Sequence, residues 1–236
     1  MRLNKYLALA GVASRRAAEQ LIRAATTTVN GKVILDPAYV VRDDDLVCYD
    51  GQRLTLTDHS KVYLLNKPAG VITTSNDPHG RSTVVDLIPH KGRLFPVGRL
   101  DQATTGLLLL TNDGELMERL LHPRYQVPRL YEVVIDRPLQ RAEVQKMERG
   151  LYIGEGEWGR AKFVKQSTVK KRTTVVLRLT EGKKREVRRL MTTLKRRIFR
   201  LCRIQFGPVS LGDLPLGHWR ELTPEEIEKL KKYRKR

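Results

Sequence analysis

The chain has 236 residues, room for one large domain or two smaller ones, and its 40% hydrophobic content excludes a disordered polypeptide. Forty-five lysines and arginines against 26 acidic residues leave a formal net charge of +19, which does not specify a fold but calls for a polyanionic partner. No long basic amphipathic helix dominates, so nucleic acid fits that charge better than an anionic membrane does.

From Arg2 onward the chain is charged and amphipathic, unlike a signal peptide, and its longest apolar run is far short of a membrane span. Cys48 and Cys202 form no CxxC pair and argue for a reducing compartment without structural zinc. A soluble, cytoplasmic protein is expected. Leu3, Tyr6, Leu7 and Ala10 recur at helical spacing, and Gly11 stops that helix. Ser14 stands where an N-cap belongs, and Ala18, Leu21, Ile22 and Ala25 supply the next apolar stripe. The opposite faces carry Arg2, Lys5, Arg15, Arg16 and Arg23, each of which alone reads most simply as a solvated cation. Val29-Asn30-Gly31-Lys32-Val33 reads as strand, tight turn, strand. Short strands continue through residues 36–56, with exposed loop ends at Asp43-Asp44-Asp45 and Asp50-Gly51. Residues 57–60 are polar and aperiodic and mark the predicted domain boundary.

Residues 62–65 form a predicted strand leading into Asn66-Lys67-Pro68-Ala69-Gly70. Asp77-Pro78-His79-Gly80-Arg81 is punctuated as a turn and is expected to be a mobile loop within reach of RNA. A strand at residues 94–97 delivers Gly98, Arg99, Leu100 and Asp101. Residues 107–110 are four leucines, the most apolar run in the chain, closed by Asn112-Asp113-Gly114; a run that short predicts a buried strand. Asp101 therefore sits in a loop at the mouth of a core strand, a place where catalytic side chains tend to be carried. On chemistry alone, a carboxylate beside Arg99 is more simply an ion pair or a turn cap.

A short helix is predicted at residues 115–121 with Asp113 as its candidate cap, then a strand at 129–135 holding Arg129 and a half-buried Tyr131, then a helix at 139–150. Residues 154–159 formally satisfy GxGxxG. The helix that a dinucleotide site needs is missing, since residues 161–165 alternate like a strand, and Glu155 and Glu157 would repel a pyrophosphate; a hairpin is predicted instead. Another strand follows at 174–179. Between residues 183 and 200 there are nine cations and one acid, with Val187, Leu190, Met191 and Leu194 spaced among them, which predicts a helix with one buried and one basic face. The tail from Pro224 is a short, highly charged helix expected to fray.

Taken together, these stretches resemble the RsuA-type RNA pseudouridine synthases. GRLDQATTGLLLLTNDG at 98–114 is similar to that family's GRLDxxTxGLLLLTNDG motif, KPAG at 67–70 to its first motif, and REVRR at 185–189 to its third, in the form of the large-subunit rRNA enzymes. Residues 2–31 resemble the S4 RNA-binding module, with its RLxKxLAxAGxxSRRxAExLI core and VNG turn. The resemblance implies an α+β protein: an S4-like domain over residues 1–58, then a synthase domain over 61–236 with a mainly antiparallel sheet and a central active-site cleft. It implies isomerisation of one uridine in ribosomal RNA, large subunit before small, by a cytoplasmic monomer without membrane attachment, cofactor or metal.

The implied catalytic residues are Asp101 as the carboxylate, Arg188 as the cation paired with it, and Tyr131 as a platform for the uracil ring that helps remove the ring-carbon proton. The chemistry requires the carboxylate to stay ionised while enclosed. The implied RNA-binding residues are Arg2, Lys5, Ser14, Arg15, Arg16, Arg23, Asn30 and Lys32 in the first domain, and Lys67, Arg99, Lys183, Lys184, Arg185 and Arg189 in the second. There are two departures. Ala25-Thr26-Thr27 replaces a glycine, a basic residue and a valine, which predicts a rearranged turn and weaker RNA binding, and Lys195 replaces the glycine that ends the last motif's helix. Two readings from other classes compete. A non-catalytic rRNA-binding assembly factor conflicts with the presence of Asp101, Tyr131 and Arg188 together, and a methyltransferase lacks a glycine-rich cofactor loop after a strand.

Overall fold

The computed structural model describes residues 1–56, 60–90 and 92–233. It divides into two compact units, the first built mainly from residues 1–60 and the second from the rest of the chain. The predicted boundary at 57–60 lies, apart from Ser60, outside the described residues.

In the first unit, helices α1 (Leu3–Leu9) and α2 (Arg15–Arg23) accompany four short strands, β1 (Thr27–Val29), β2 (Lys32–Val33), β3 (Val47–Tyr49) and β4 (Gln52–Arg53). The strands form an antiparallel sheet in the order β2-β1-β3-β4. Leu3, Leu7, Ala18, Ile22, Val29, Val41 and Val47 share one core, so the stripes on the two helices meet on the sheet. Ser14 Oγ accepts from Ala17 N at 3.1 Å and caps α2. Asn30 and Gly31 both have positive φ (+51° and +78°), as a two-residue hairpin turn of this hand requires. Ala25 takes a left-handed conformation itself (φ +61°), so the expected rearrangement is replaced by local strain of about 1 kcal/mol.

The second unit is organised on a nine-stranded sheet. In chain order its strands are β5 (Val62–Lys67), β6 (Phe95–Pro96), β7 (Thr105–Thr111) and β8 (Arg129–Ile135), with α3 (Gly114–Leu121) before β8. After α4 (Arg141–Arg149) a separate two-stranded hairpin is made by β9 (Leu151–Gly154) and β10 (Glu157–Gly159), where the GxGxxG string falls. The sheet resumes with β11 (Lys162–Val169) and β12 (Arg172–Leu179); α5 (Glu186–Thr193) precedes β13 (Ile198–Phe206), β14 (Val209–Ser210), β15 (Trp219–Glu221) and α6 (Pro224–Lys231). The main strand order is β11-β12-β8-β13-β7-β5-β15, antiparallel throughout except at the β13–β7 junction. β7 is covered on both faces. Leu107 and Leu109 join a core with Leu116, Leu120 and Leu230 from the helices, while Leu108 and Leu110 join another with Leu65, Val84 and Leu100. Burial on both sides explains why four consecutive leucines occur where a half-exposed strand would alternate.

Two readings need correction here. The basic helix expected across residues 183–200 is only eight residues long, because Arg185 (φ +54°) and Lys195 (φ +54°) take left-handed conformations that bracket it, and the remaining cations lie in loops or on β13. Lys195 thereby makes the turn that glycine would ordinarily make. The C-terminal helix α6 does not fray at its start. Thr223 and Glu226 form a reciprocal cap, and Leu230 is fully buried.

Candidate active site

The loop carrying Asp101 is held from below and from one side. Leu100, 5% exposed, anchors it in the core, and Thr73 Oγ1 donates to Leu100 O (2.8 Å). Thr104 N donates to Asp101 O at 2.9 Å, closing a turn around the carboxylate. The KPAG loop supplies the lateral support: Gly70 N bonds Gln102 O, Gln102 Nε2 bonds Gly70 O, each at 2.9 Å, and Lys67 Nζ donates to Pro68 O (2.8 Å), Thr104 O (3.1 Å) and Gln102 O (3.3 Å). Lys67 is fully buried. Burial pushes its ammonium down to about 8, against the opposing pull of the Asp101 charge. The expectation that Lys67 binds RNA is therefore wrong. Its three donors are spent on carbonyls, and no phosphate can reach it.

Just beyond the loop, Gly106 (φ +102°) lies where β7 meets β13. A Cβ there would stand 2.3 Å from Arg203 O and 2.7 Å from Arg203 N, so only glycine allows the two strands to come together at this point. That close approach puts the mouth of β7 beside the middle of β13 and β8. Tyr131 on β8 pairs with Arg203 on β13, and cross-strand partners share a face, so both side chains leave the sheet on the same side and both line the cleft. Arg203 is 1% exposed; its Nε donates to Leu107 O at 2.7 Å, and its Nη2 makes no hydrogen bond among the described residues.

The third element is α5. Arg188 Nε stands 3.4 Å from Asp101 Oδ2, and its Nη2 donates to Thr104 Oγ1 at 3.0 Å. Arg185 Nη1 is 3.9 Å from the same carboxylate oxygen. Arg188 is the partner that matters: its side chain is 21% exposed, while that of Arg185 is 55% exposed, where water screens the attraction. Asp101, Tyr131 and Arg188, which belong to a loop, a strand and a helix far apart in sequence, all line one narrow pocket of about 70 Å³. It adjoins a cleft of about 1080 Å³, which Asp101 and Tyr131 also line together with Arg99, Lys183, Lys184 and Arg185. A carboxylate with a counter-cation beside it, next to an aromatic ring in a cation-walled cleft, can act on a planar base belonging to a polyanion.

Among the other predicted RNA-binding residues, Arg2, Arg15, Arg16, Arg23 and Lys32 are exposed, and Lys5 is half-buried. Two are corrected. Asn30 is a turn residue whose amide donates to Asp45 Oδ1 (2.8 Å) and whose carbonyl accepts from Leu46 N (2.9 Å), leaving the Asn30 side chain engaged at both ends. Arg189 does not belong to a basic face. It donates to Ile153 O (2.8 Å), Gly154 O, Lys184 O (3.3 Å) and the Glu157 carboxylate, fastening the β9–β10 hairpin to the loop before α5. Arg196 and Arg200 are likewise tied down, to Glu143 and Glu132. The Asp77–Arg81 turn expected to be mobile is braced instead, with the Arg81 fork on the Asp77 carboxylate. Arg129, which the sequence places two residues before Tyr131 on the same strand, lines the cleft, and so does Arg203, which sequence reading missed. Only its cross-strand pairing with Tyr131 marks Arg203, and pairing is invisible before the fold is known.

A family profile described as RNA pseudouridylate synthase matches residues 61–193, and an S4 domain profile matches residues 1–55. The chain is 38% identical over 233 residues to the ribosomal large subunit pseudouridine synthase B of Bacillus subtilis, covering 98% of this chain and 95% of that protein. It is 34% identical over 233 residues to a dual-specificity RNA pseudouridine synthase of Escherichia coli, covering 96% of this chain and 77% of that one. A solved structure described as a pseudouridylate synthase superposes with a TM-score of 0.69 at 28% identity, covering 98% of this chain and 99% of its own.

Proposed function

The chain belongs to the RNA pseudouridine synthase family, and from that premise we propose that it converts one uridine of ribosomal RNA, in the large subunit, to pseudouridine. The overall reaction breaks the bond between ribose C1′ and uracil N1, turns the base, and joins C1′ to C5. The C5 proton is lost and N1 gains one, so atoms and electrons balance without an oxidant or reductant.

In this reading Asp101 is the catalytic carboxylate and Arg188 is the cation that holds and orients it. Tyr131 stacks on the extruded uracil and helps remove the ring-carbon proton. Residues 1–58 form a phosphate-gripping module through Arg2, Lys5, Ser14, Arg15, Arg16, Arg23 and Lys32, and residues 61–236 form the catalytic domain, where Arg99, Lys183, Lys184 and Arg185 meet the backbone around the target. The enzyme acts as a monomer in the cytoplasm; no helix among the described residues is long and apolar enough to cross a membrane.

One observation carries the site assignment: the three residues come from three elements and converge on one pocket beside a cation-walled cleft. A decayed, purely RNA-binding relative would have no need to hold Arg188 against Asp101. The large-subunit assignment rests on the name of the Bacillus subtilis relative and on the REVRR form of the third motif. The test is to map pseudouridines in rRNA from cells with and without the protein, and to measure proton release from C5-labelled uridine in purified large- and small-subunit rRNA. Loss of a single large-subunit pseudouridine is expected. Sites lost only from small-subunit rRNA would overturn the substrate assignment.

A further inference from the structure

The most exposed large aromatic side chain of the protein has no part in the reaction described above. Trp158 on β10 is 62% exposed, and Tyr152, its cross-strand partner on β9, is 52% exposed. Their rings meet edge to face with centroids 6.0 Å apart, on the outer side of the hairpin; the inner side is sealed by Ile153 and Gly159 against Leu190. Core packing therefore accounts for Ile153 and leaves the two rings in water. The hairpin is not loosely attached. Arg189 grips Ile153 O, Gly154 O and Lys184 O at once, and Lys183 Nζ donates to Trp158 O.

Those two contacts tie the rings to the 183–185 loop, which walls the cleft and whose Arg185 faces Asp101. Arg160, the residue that follows β10, is exposed. Lys183, which reaches Trp158 O and also pairs with Glu181, borders the rings, with Lys184 next to it in the same loop, and the hairpin itself carries one exposed acid that no described cation pairs, Glu155. Aromatic faces beside a basic loop that also walls the cleft have the chemistry that holds unpaired nucleotides.

We propose that Tyr152 and Trp158 form a stacking platform for an unpaired base of the substrate RNA, a few nucleotides from the target uridine. The proposal rests on the RNA reading given above and adds a contact outside the reacting pocket. Because stacking is tolerant of sequence, the platform fixes how the flanking strand leaves the cleft without selecting which base lies on it.

The test uses the full chain and an oligouridylate long enough to run from the cleft past the hairpin. Trp158→Ala should weaken binding by roughly 5- to 150-fold, Trp158→Phe should recover most of it, and the slope of log affinity against log salt should stay the same, since no phosphate contact is lost. With Trp219→Phe as background, Trp158 is the sole tryptophan, and its fluorescence should be quenched on addition of the oligouridylate. An abasic oligomer with the same number of phosphates should bind Trp158→Ala and the parent equally and leave the fluorescence unchanged. If the parent binds the oligouridylate but Trp158→Ala binds it equally well without any quenching in the single-tryptophan protein, the platform is refuted while the RNA reading stands. If the parent binds no RNA, both fall. Concentration-dependent self-association abolished by Trp158→Ala, with RNA affinity unchanged, would assign the surface to a second copy of the chain and overturn the proposal.

Discussion

Lys67→Met isolates a support that the sequence disguises as an RNA contact. The substitution keeps the volume of a fully buried side chain and removes its ammonium. Three carbonyls then lose a donor, those of Pro68, Gln102 and Thr104. Gln102 O keeps its bond from Gly70 N, so two buried acceptors are stranded at about 1–3 kcal/mol each, a gross loss of the order of 4 kcal/mol. Opposing it is relief of a buried charge. An ammonium pushed from 10.5 down to about 8 is disfavoured in the folded state by roughly 3 kcal/mol, which the thioether does not suffer. The net expectation is a destabilisation of about 1 kcal/mol near neutrality.

The pH dependence has a definite sign. The unfolded chain holds this proton up to about 10.5 and the folded chain only to about 8, so over that window the unfolded state binds more protons and the parent becomes more stable as pH rises. Lys67→Met lacks the term, and the gap between the two proteins should widen from pH 8 to 10.5. Urea unfolding of both proteins at several pH values measures it. Turnover should fall on the order of 100-fold with little change in KM, because two of the lost bonds hold the turn that presents Asp101 and misplacement by about 1 Å costs that much. Parallel stability curves across the window would refute the assignment of a buried ammonium, and unchanged kcat would refute its hold on the loop.

Asp101→Asn, isosteric, should abolish turnover while thermal stability and RNA affinity stay close to the parent; residual activity within about tenfold would remove Asp101 from the chemistry. Arg188→Ala and Arg189→Ala should separate cleanly: the first loses single-turnover rate with RNA saturating, the second lowers the melting temperature by releasing the β9–β10 hairpin, and equal rates for the two would sink the role given to Arg188. Gly106→Ala should leave little folded protein, since the added Cβ would sit 2.3 Å from a backbone oxygen that cannot move without parting β7 from β13; a soluble variant with parent-like melting would contradict that contact. Deleting residues 1–58 should weaken RNA binding and make its salt dependence shallower, and an unchanged slope would show that the module does not touch RNA.

Sequence by itself determined the elements whose cause is local. Four leucines closed by Asn112-Asp113-Gly114 could only be a buried strand, Asn30-Gly31 between short apolar stretches could only be a tight turn, and Ser14 ahead of an amphipathic run could only be a cap. Strand 129–135 was legible to the residue because alternation needs no distant partner to be read. Asp101, Tyr131 and Arg188 were legible through resemblance to a family pattern, and no spacing in the chain would have joined them, since a loop, a strand and a helix meet only after β7 has paired with β13.

What tertiary structure alone decided is which cations remain available. Lys67, Arg189 and Arg196 look the same in sequence as Arg99 or Lys184, yet the first three end on carbonyls and carboxylates while the last two line an open cleft. A long basic side chain reaches over many possible partners, and whether its tip meets a buried carbonyl or water depends on packing between segments distant in sequence. The same holds for the aromatic residues. Tyr131 and Trp158 both sit on strands, and only the packing of neighbouring elements leaves one half-buried beside a carboxylate and the other in solvent on the β9–β10 hairpin.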